Sequence, residues 1–295
     1  MSIKTVGFVG IGNMGAPMAA NLVKGGYHVI AYDVDHKRAA AFAKEHGARA
    51  ASDPSGLAGA DAIVTMLPTG KEVRAAILPI ATKLRKGTVI IDMSSADPVG
   101  TRSLHAELAR HGVHLVDAPV SGGVPRATDG TLAIMIGGER GAIAAARPVL
   151  EKMGARLFDV GGSGNGHAMK ALNNFVAGTA FIAVSEALVV GERFGLDPAA
   201  MVDIMNVSTG KCFNTEHVAK QHVVSRKFAS GFALGLLAKD VGIADTLAKA
   251  MDVQSPLIDM SAALLGEARD HVGFEQDHTR AYTFWEARGK KEAAE

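Results

Sequence analysis

The fold is decided by residues 5–24, which read TVGFVGIGNMGAPMAANLVK. The first five residues are an apolar run typical of a buried strand, and Ala16–Lys24 has the spacing of an amphipathic helix. Three glycines occupy the turn between them in the order G-x-G-x-x-G, at Gly10, Gly12 and Gly15. The strand, the turn and the helix together predict a dinucleotide-binding site, whereas the glycine spacing alone is a weak signal in a chain with 34 glycines.

Each glycine of this turn has its own physical reason. Gly10 permits the tight turn, Gly12 lets the backbone approach a pyrophosphate, and Gly15 lets the helix pack closely on the strand. The helix start at Asn13 and Met14 presents unpaired backbone N–H groups to the phosphates. We therefore predict that all five residues contact a dinucleotide cofactor.

The choice between the two nicotinamide dinucleotides depends on Asp33, which ends the second predicted strand 18 residues beyond Gly15. A carboxylate at this position accepts hydrogen bonds from the adenosine ribose hydroxyls and repels a 2′-phosphate. The sequence therefore predicts NAD. Arg38 keeps NADP open as the alternative, because a nearby arginine can accommodate a 2′-phosphate.

Strand-like and helix-like runs alternate through the first 160 residues. After Thr5–Val9, the further predicted strands are His28–Tyr32, Ala62–Met66, Val89–Asp92, His114–Asp117, Leu132–Ile136 and Leu157–Asp159. Such alternation predicts βαβ units and a doubly wound, Rossmann-type α/β sheet. Leu132–Ile136 is expected to be a hairpin partner, because Asp129-Gly130 before it is a tight-turn signal.

The pattern changes after residues 161–166, which read GGSGNG. We predict a dinucleotide-binding domain over 1–163 and an all-helical substrate and dimerisation domain over 164–295, built on a long helix from about His167 to Phe194. That helix is apolar around most of its circumference, so it needs cover on all sides. A second subunit is expected to supply part of it, in a homodimer or homotetramer.

Composition excludes several classes of function. Lys and Arg total 31 against 30 Asp and Glu, so nothing favours nucleic acid or an anionic membrane as a partner. The longest apolar stretch, 175–190, is shorter than the roughly 20 residues that cross a bilayer. The single cysteine, Cys212, suits a reducing compartment, and we expect a cytoplasmic protein. Among the 11 histidines no metal-ligand spacing occurs, so no metal is predicted.

Polar and glycine-rich segments follow several predicted strands, where doubly wound folds bind ligands. Leu67-Pro68 and Ser95 follow two of them, although each also suits an ordinary turn. In residues 117–123, DAPVSGG, the Ser121 hydroxyl and the N–H groups of Gly122 and Gly123 can form a concavity that suits a carboxylate.

The segment 164–174, GNGHAMKALNN, opens the long helix. Lys170 and Asn174 are four residues apart and share one helical face, where they can hold and deprotonate a hydroxyl group. A lysine near a helix start is usually a solvated surface residue. Here the strongly apolar helix around it favours the functional interpretation, and His167 is interpreted as a helix-start residue.

Taken together, these motifs resemble the β-hydroxyacid dehydrogenase family, which includes 3-hydroxyisobutyrate dehydrogenases, tartronate semialdehyde reductases and short relatives of 6-phosphogluconate dehydrogenase. The resemblance covers nearly the whole chain. It is carried by GFVGIGNMGAPMAANL, DAPVSGG, GNGHAMKALNN and the GLLAKD segment at 235–240. These motifs are specific to the family and much less specific to one substrate.

The resemblance implies a role for each matched residue. Lys170 corresponds to the catalytic lysine and Asn174 to a substrate-orienting asparagine. The remaining matches are the carboxylate-binding residues Ser121, Gly122 and Gly123, the cofactor contacts Leu67, Pro68 and Ser95, and Lys239 with Asp240 near both the nicotinamide and the substrate. Ser95 stands where many relatives carry threonine, which keeps the hydroxyl.

The implied chemistry is NAD-dependent oxidation of a small 3-hydroxy acid to its semialdehyde. A free lysine has a pKa near 10.4, so a lysine base needs burial or a neighbouring cation such as Lys239. The loop 208–213, STGKCF, in which an aromatic residue follows the cysteine, resembles the corresponding loop of 3-hydroxyisobutyrate dehydrogenases, and this resemblance favours 3-hydroxyisobutyrate as the substrate. The alternatives are a tartronate semialdehyde reductase and a non-catalytic NAD-binding sensor.

Overall fold

The structure of the chain is a computed structural model that describes residues 3–288. Residues 1–2 and 289–295, at the outer ends of the two predicted domains, lie outside the described residues. The chain divides into two compact units, Met1–Lys170 and Ala171–Glu295. The predicted boundary between 163 and 164 stays a prediction.

The first unit contains a nine-stranded sheet. Its strands are β1 (Thr5–Val9), β2 (His28–Tyr32), β3 (Arg49–Ala50), β4 (Ala62–Thr65), β5 (Val89–Asp92), β6 (His114–Asp117), β7 (Val120–Ser121), β8 (Leu132–Gly137) and β9 (Gly154–Gly161). Their spatial order is β3-β2-β1-β4-β5-β6-β8-β7, with β9 beside β8. The first six are parallel, and β8 runs antiparallel to β6 and β7. The order reverses between β1 and β4, as at the ligand crevice of doubly wound folds.

Six helices accompany this sheet. They are α1 (Gly15–Lys24), α2 (His36–His46), α3 (Gly70–Ile77), α4 (Pro98–Ala109), α5 (Gly123–Asp129) and α6 (Arg140–Leu150). The central strands are apolar at almost every position, and alternate residues belong to two separate clusters: Phe8 and Val64 pack in one, Val9 and Ile63 in the other. Strands buried on both faces are typical of doubly wound sheets, and the predicted fold class is confirmed.

The segment between β6 and β8 differs from its prediction. The two-residue strand β7 and the helix α5 intervene there, and Gly130, at φ +67°, ends α5 instead of forming a two-residue hairpin turn after Asp129. The antiparallel pairing of Leu132–Gly137 is present, but a helix, and not a tight turn, connects it to β7. A helix of seven residues offers too few positions for its period to be read from the sequence.

In its described residues the second unit consists of helices and connecting loops, with one isolated β-bridge between Ala233 and Asp277. The helix α7 (Asn165–Phe194) enters it, followed by α8 (Pro198–Asn206), α9 (Leu234–Ala250), α10 (Pro256–Val272) and α11 (Tyr282–Arg288). Gly195 adopts φ +102° after α7, and the Asp197 carboxylate accepts hydrogen bonds from the N–H groups of Ala199 and Ala200 to start α8. Thr215–Val224 is a π-helix.

The helix α7 begins two residues before its predicted start near His167 and ends, as predicted, at Phe194. With 30 residues it is long and apolar enough to cross a membrane, and 44% of its most apolar window is buried within the fold. The expectation that no apolar segment reaches that length was wrong. Core helices of water-soluble proteins pass the same test. Val176 and Val190 remain 63% and 68% exposed, and the predicted homodimer or homotetramer stays a prediction.

Candidate functional site

Two of the three glycines in the glycine-rich turn are required by the fold, and the third is not. Gly10 has φ +95°, and a Cβ there would overlap the Met66 carbonyl oxygen. A Cβ on Gly15 would overlap the Gly10 carbonyl oxygen, so α1 could not pack this close to β1. At Gly12 a Cβ would meet open space. Nothing in the protein itself needs glycine at that position, whereas a pyrophosphate held against the backbone would. The turn therefore fits a dinucleotide.

At the start of α1 the Ala16 N–H donates to the Gly12 carbonyl oxygen at 2.9 Å and Pro17 has no N–H, so an anion there would be bound by the N–H groups that precede Ala16. Met14 stands at the N-cap position, and its side chain makes no capping hydrogen bond. Asn13 beside it is exposed. A residue with a capping oxygen would have satisfied one of the first N–H groups internally. Anions bind readily at such helix starts.

Asp33 lies at the end of β2 with only 5% of its surface exposed. One carboxylate oxygen accepts from the Ile11 N–H at 2.7 Å, and the other accepts from the Asp35 N–H at 2.9 Å. A carboxylate offers about four acceptor positions, so two remain for ribose hydroxyls. The Arg38 guanidinium lies 3.5 Å from Asp33 and 4.0 Å from Asp35, which holds this arginine between two carboxylates.

The turns after β4 and β5 are joined directly. The Leu67 N–H donates to the Ser94 hydroxyl at 3.0 Å, and the Ser94 N–H donates to Asp92 at 3.1 Å. Pro68 is exposed and Ser95 is half-buried. The predicted cofactor contacts Leu67, Pro68 and Ser95 thus belong to two neighbouring turns, and the sequence did not single out Ser94 as the residue that links them.

The predicted carboxylate site begins at the end of β7. Ser121 is half-buried, and Gly122 and Gly123 are exposed with φ +136° and +65°. A Cβ on Gly122 would collide with the side chain of Arg126. Both glycines are therefore required by the turn, and their N–H groups open α5 next to the Ser121 hydroxyl.

The first turn of α7 is fastened to the sheet by Asp117, the last residue of β6, which is fully buried. Its carboxylate accepts from the N–H of Gly164 at 2.8 Å and from the N–H of His167 at 3.0 Å. A Cβ on Gly166 would lie 2.5 Å from the Met135 carbonyl oxygen and 2.7 Å from that of Asp117. Gly164, at φ +83°, and Gly166 are therefore needed for this close approach, and a flexible linker would not need them.

His167 is a helix-start residue, as predicted, and it is also buried and bonded through both ring nitrogens. Nδ1 lies 2.8 Å from the Thr101 hydroxyl, and Nε2 lies 3.1 Å from the Ser94 carbonyl oxygen. Nε2 is also 3.8 Å from the buried carboxylate of Asp92. Sequence reasoning missed this network. The available signal was the position of Asp92 and Asp117 at the ends of adjacent, wholly apolar strands.

Lys170 lies one turn further along α7 and is half-buried. It belongs to the same compact unit as the glycine-rich turn and the joined turns after β4 and β5. The side chain of Lys170 is thus neither fully buried nor fully exposed, and its predicted catalytic role stays a prediction. Met169 and Leu172 on the same helix are 41% and 39% exposed, so the helix retains an accessible face here.

In the second unit, the other predicted substrate residues form a pair. The Asn174 amide donates to the Asp240 carboxylate at 2.6 Å, and both side chains are buried. The Asn174 amide oxygen accepts from Asn173 at 3.1 Å. The Lys239 ammonium lies 3.2 Å from Asp240. Its charge is therefore partly offset by a carboxylate, which weakens the expected use of Lys239 as a cation that helps to deprotonate Lys170.

The loop 208–213 precedes the π-helix of the second unit. Thr215 closes it, because its hydroxyl accepts from the Cys212 N–H and donates to the Cys212 carbonyl, both at 2.9 Å. Phe213 is 67% exposed and its ring lies 4.9 Å from that of His217. The aromatic side chain that suggested a substrate is therefore accessible.

Comparisons with known proteins bear on both units. Residues 5–162 match the family model described as the NAD-binding domain of 6-phosphogluconate dehydrogenase. Residues 164–285 match the one described as the NAD-binding domain of NADP-dependent 3-hydroxyisobutyrate dehydrogenase. The chain belongs to the 3-hydroxyisobutyrate dehydrogenase family.

Several relatives are similar over most of their length. A probable 3-hydroxyisobutyrate dehydrogenase of Mycobacterium tuberculosis is 38% identical, over 91% of this chain and 94% of that protein. The 2-(hydroxymethyl)glutarate dehydrogenase of Eubacterium barkeri is 36% identical, over 97% and 95%. The solved structure of a Mycobacterium tuberculosis 3-hydroxyisobutyrate dehydrogenase with L-serine is 34% identical, covers 96% of this chain and 99% of that one, and has a TM-score of 0.89.

These matches identify the general chemistry. The chain is an NAD-dependent 3-hydroxyacid dehydrogenase, an oxidoreductase that acts on a CH–OH group, and its cofactor is NAD. The non-catalytic sensor considered from the sequence is therefore set aside.

The turn geometry predicts opposite outcomes for two glycine-to-alanine substitutions. Gly12→Ala should leave the free energy of unfolding within about 0.5 kcal/mol of wild type, because the new Cβ meets open space, yet weaken NAD binding at least about tenfold. Gly15→Ala should cost more than about 2 kcal/mol of stability, because its Cβ overlaps backbone. Urea unfolding and calorimetric NAD titration measure both. Unchanged NAD affinity in Gly12→Ala would contradict the assignment.

Asp33 is predicted to set the cofactor preference through its negative charge. Asp33→Ser should lower kcat/KM for NAD and raise it for NADP, because the substitution removes the repulsion of a 2′-phosphate and releases Arg38 to bind one. The ratio of the two kcat/KM values should shift by on the order of 10²-fold. In an Asp33→Ser, Arg38→Ala double variant the gain for NADP should disappear. A wild-type preference for NADP of tenfold or more would contradict the role assigned to Asp33.

Proposed function

We propose that this enzyme oxidises a small acid of the form HOCH2–CHR–COO⁻ to its semialdehyde, with Lys170 as the general base. The observation that carries the proposal is the position of Lys170, a half-buried lysine on the first turns of α7. Hydrogen bonds to Asp117 and from His167 attach the start of this helix to the ends of the strands, beside the turns predicted to contact the cofactor. An amine held there has a fixed direction, as proton transfer requires.

The reaction removes a hydride and a proton from one CH–OH group. NAD, when bound, accepts the hydride. The Lys170 amine takes the hydroxyl proton as the C=O bond forms, and then releases it to water. In the reverse direction the Lys170 ammonium returns that proton to the carbonyl oxygen. A general base supplies roughly 10²–10⁴-fold in rate, so removing it should cost the enzyme most of its activity.

The Asn174–Asp240 pair suits an orienting role. The bond at 2.6 Å fixes the amide in one orientation, and burial of both groups keeps it there. A buried pair of this kind is costly to rearrange, so the amide can align a substrate hydroxyl with little loss of entropy.

The substrate class follows from what the relatives' names have in common. 3-Hydroxyisobutyrate, 2-(hydroxymethyl)glutarate and L-serine all contain HOCH2–CHR–COO⁻ and differ only in R. The constant carboxylate suits the Ser121 hydroxyl and the N–H groups of Gly122 and Gly123. We assign R as methyl, which makes 3-hydroxyisobutyrate the best single substrate. Reduction of tartronate semialdehyde, where R is hydroxyl, is the second candidate, and it needs one further polar partner.

Lys170→Ala is expected to lower kcat by on the order of 10²–10⁴ while the Kd for NAD stays within about threefold. Because only the tethered amine is lost, added ethylamine should restore part of the rate in proportion to its free-base concentration. Lys86→Ala, at an exposed lysine of the same unit, is the matched control and should behave as wild type. A Lys170→Ala variant that keeps more than about a tenth of the wild-type kcat rules out the role.

A panel of acids that vary only in R tests the substrate. We expect kcat/KM to be highest for 3-hydroxyisobutyrate and lower for glycerate, L-serine and 2-(hydroxymethyl)glutarate, by about tenfold or more where R introduces an unpaired polar group. 3-Hydroxyisobutyramide, which lacks the carboxylate, serves as the negative control. A glycerate preference would favour the tartronate semialdehyde assignment, and no turnover of any acid would remove both.

A further inference from the structure

The first unit contains a buried histidine, His167, that takes no part in the proposed hydride and proton transfers. His167 is 1% exposed, and burial of an unpaired polar group is costly, so its partners must compensate. An apolar side chain would fill the same volume without that requirement. The polar contacts of His167 therefore call for an explanation beyond packing.

The bonds of His167 connect four parts of the first unit. Its backbone N–H donates to Asp117 at the end of β6. Its Nδ1 contacts Thr101 on α4 at 2.8 Å. The Ser94 carbonyl can only accept, so Nε2 carries a proton and donates it across 3.1 Å. The buried carboxylate of Asp92, at 3.8 Å from Nε2, adds a favourable charge for that N–H.

These bonds continue to the predicted cofactor contacts. The Ser94 hydroxyl accepts from the Leu67 N–H, and Ser95 follows Ser94 in the same turn. Lys170 comes three residues after His167, on the next turn of α7 and near the same face. One imidazole therefore joins the two turns assigned to the cofactor with the helical turn that carries the lysine.

We propose that His167 is a positioning residue for the reaction: it holds the first turn of α7 at a fixed distance from the Ser94–Ser95 turn and so directs the Lys170 amine. The inference rests on the proposed function, because Lys170 is the group that it positions. Its effect passes through Lys170, and His167 itself neither touches substrate nor moves the reacting proton.

The first test compares two replacements of this histidine. His167→Leu removes both ring contacts, whereas His167→Gln keeps an amide N–H for the Ser94 carbonyl and a polar atom beside the Thr101 hydroxyl, which also donates to the Asp97 carbonyl oxygen. We expect kcat to fall about 10- to 100-fold in His167→Leu, since a displacement of about 1 Å at a reacting group costs that much. His167→Gln should stay within about fivefold of wild type, and the Kd for NAD should change less than threefold in both.

The second test shows whether the effect passes through Lys170. In a Lys170→Ala background rescued by ethylamine, the base is no longer attached to α7. His167→Leu should then change the rate less than about threefold, which is the non-additivity expected of coupled residues. Where ethylamine rescue is small, the residual rate of Lys170→Ala serves for the same comparison. Thr101→Val, which removes the Nδ1 partner together with the bond from the Thr101 hydroxyl to the Asp97 carbonyl oxygen, gives a second route if His167→Leu does not fold.

His278→Leu is the matched control for stability. His278 is a second buried histidine, 8% exposed, in the second unit, where burial lowers its pKa and Nδ1 lies 3.0 Å from the Ser230 hydroxyl. This variant should lose stability comparably in urea unfolding, with kcat within about threefold of wild type.

Three results would overturn the inference. They are a wild-type kcat in His167→Leu, a His167→Gln variant as slow as His167→Leu, and an equal loss from His167→Leu with and without the Lys170 side chain. Failure of the proposed function is read separately, from Lys170→Ala alone, because that variant would then retain its activity.

Discussion

The contact between the Asp117 carboxylate and the start of α7 is the interaction on which the candidate site depends. An α-helix leaves its first N–H groups without internal partners, and a buried helix start must find acceptors elsewhere. Asp117 accepts from two N–H groups, at Gly164 and His167, and a negative charge there also complements the helix dipole. In return, those donors stabilise a carboxylate that is fully buried. The sheet end and the helix start each satisfy a requirement of the other.

This contact explains the glycines that the sequence presented as a domain boundary. Gly137 and Gly166 stand where an added Cβ would lie within 2.8 Å of backbone atoms or of Asp117, and Gly164 adopts φ +83°. The backbone of α7 therefore reaches the sheet without side chains between them. A flexible linker and a close approach both enrich glycine, and composition alone does not separate the two.

Much of the fold was predictable because its strongest signals are periodic. The strands β1, β2, β5 and β6 have the predicted bounds, since each is an apolar run flanked by turn residues. β3 and β7 were missed because two residues carry no period, and α5 because Gly122 and Gly123 suggested a loop. The long helix predicted from about His167 to Phe194 is present as α7, and only its first two residues, Asn165 and Gly166, were not included in the prediction.

The candidate site was predictable only where its residues belong to a motif. The glycine-rich turn could be predicted because the positions of its glycines in the sequence already indicate the backbone conformation that they allow. The roles of Asn174 and Lys239 came from family resemblance, and their shared partner Asp240 supplies a physical basis for the first of them. Burial of a polar side chain is different, because it depends on packing between distant elements. A histidine within GNGHAMK does not reveal in sequence that Thr101 and Ser94 surround it.

A network of buried hydrogen bonds fixes the relative positions of the segments that it joins more strictly than apolar packing does. Apolar cores tolerate substitutions and small shifts of their elements at a modest cost in free energy. Hydrogen bonds weaken steeply with distance and angle, so a fully bonded group such as His167 or Asp92 permits one arrangement of the segments that it joins. Proton transfer at a substrate requires positions held to within about 0.5 Å. The buried polar groups beneath the first turn of α7 are therefore expected to contribute more to the geometry of catalysis than to the overall stability of the chain.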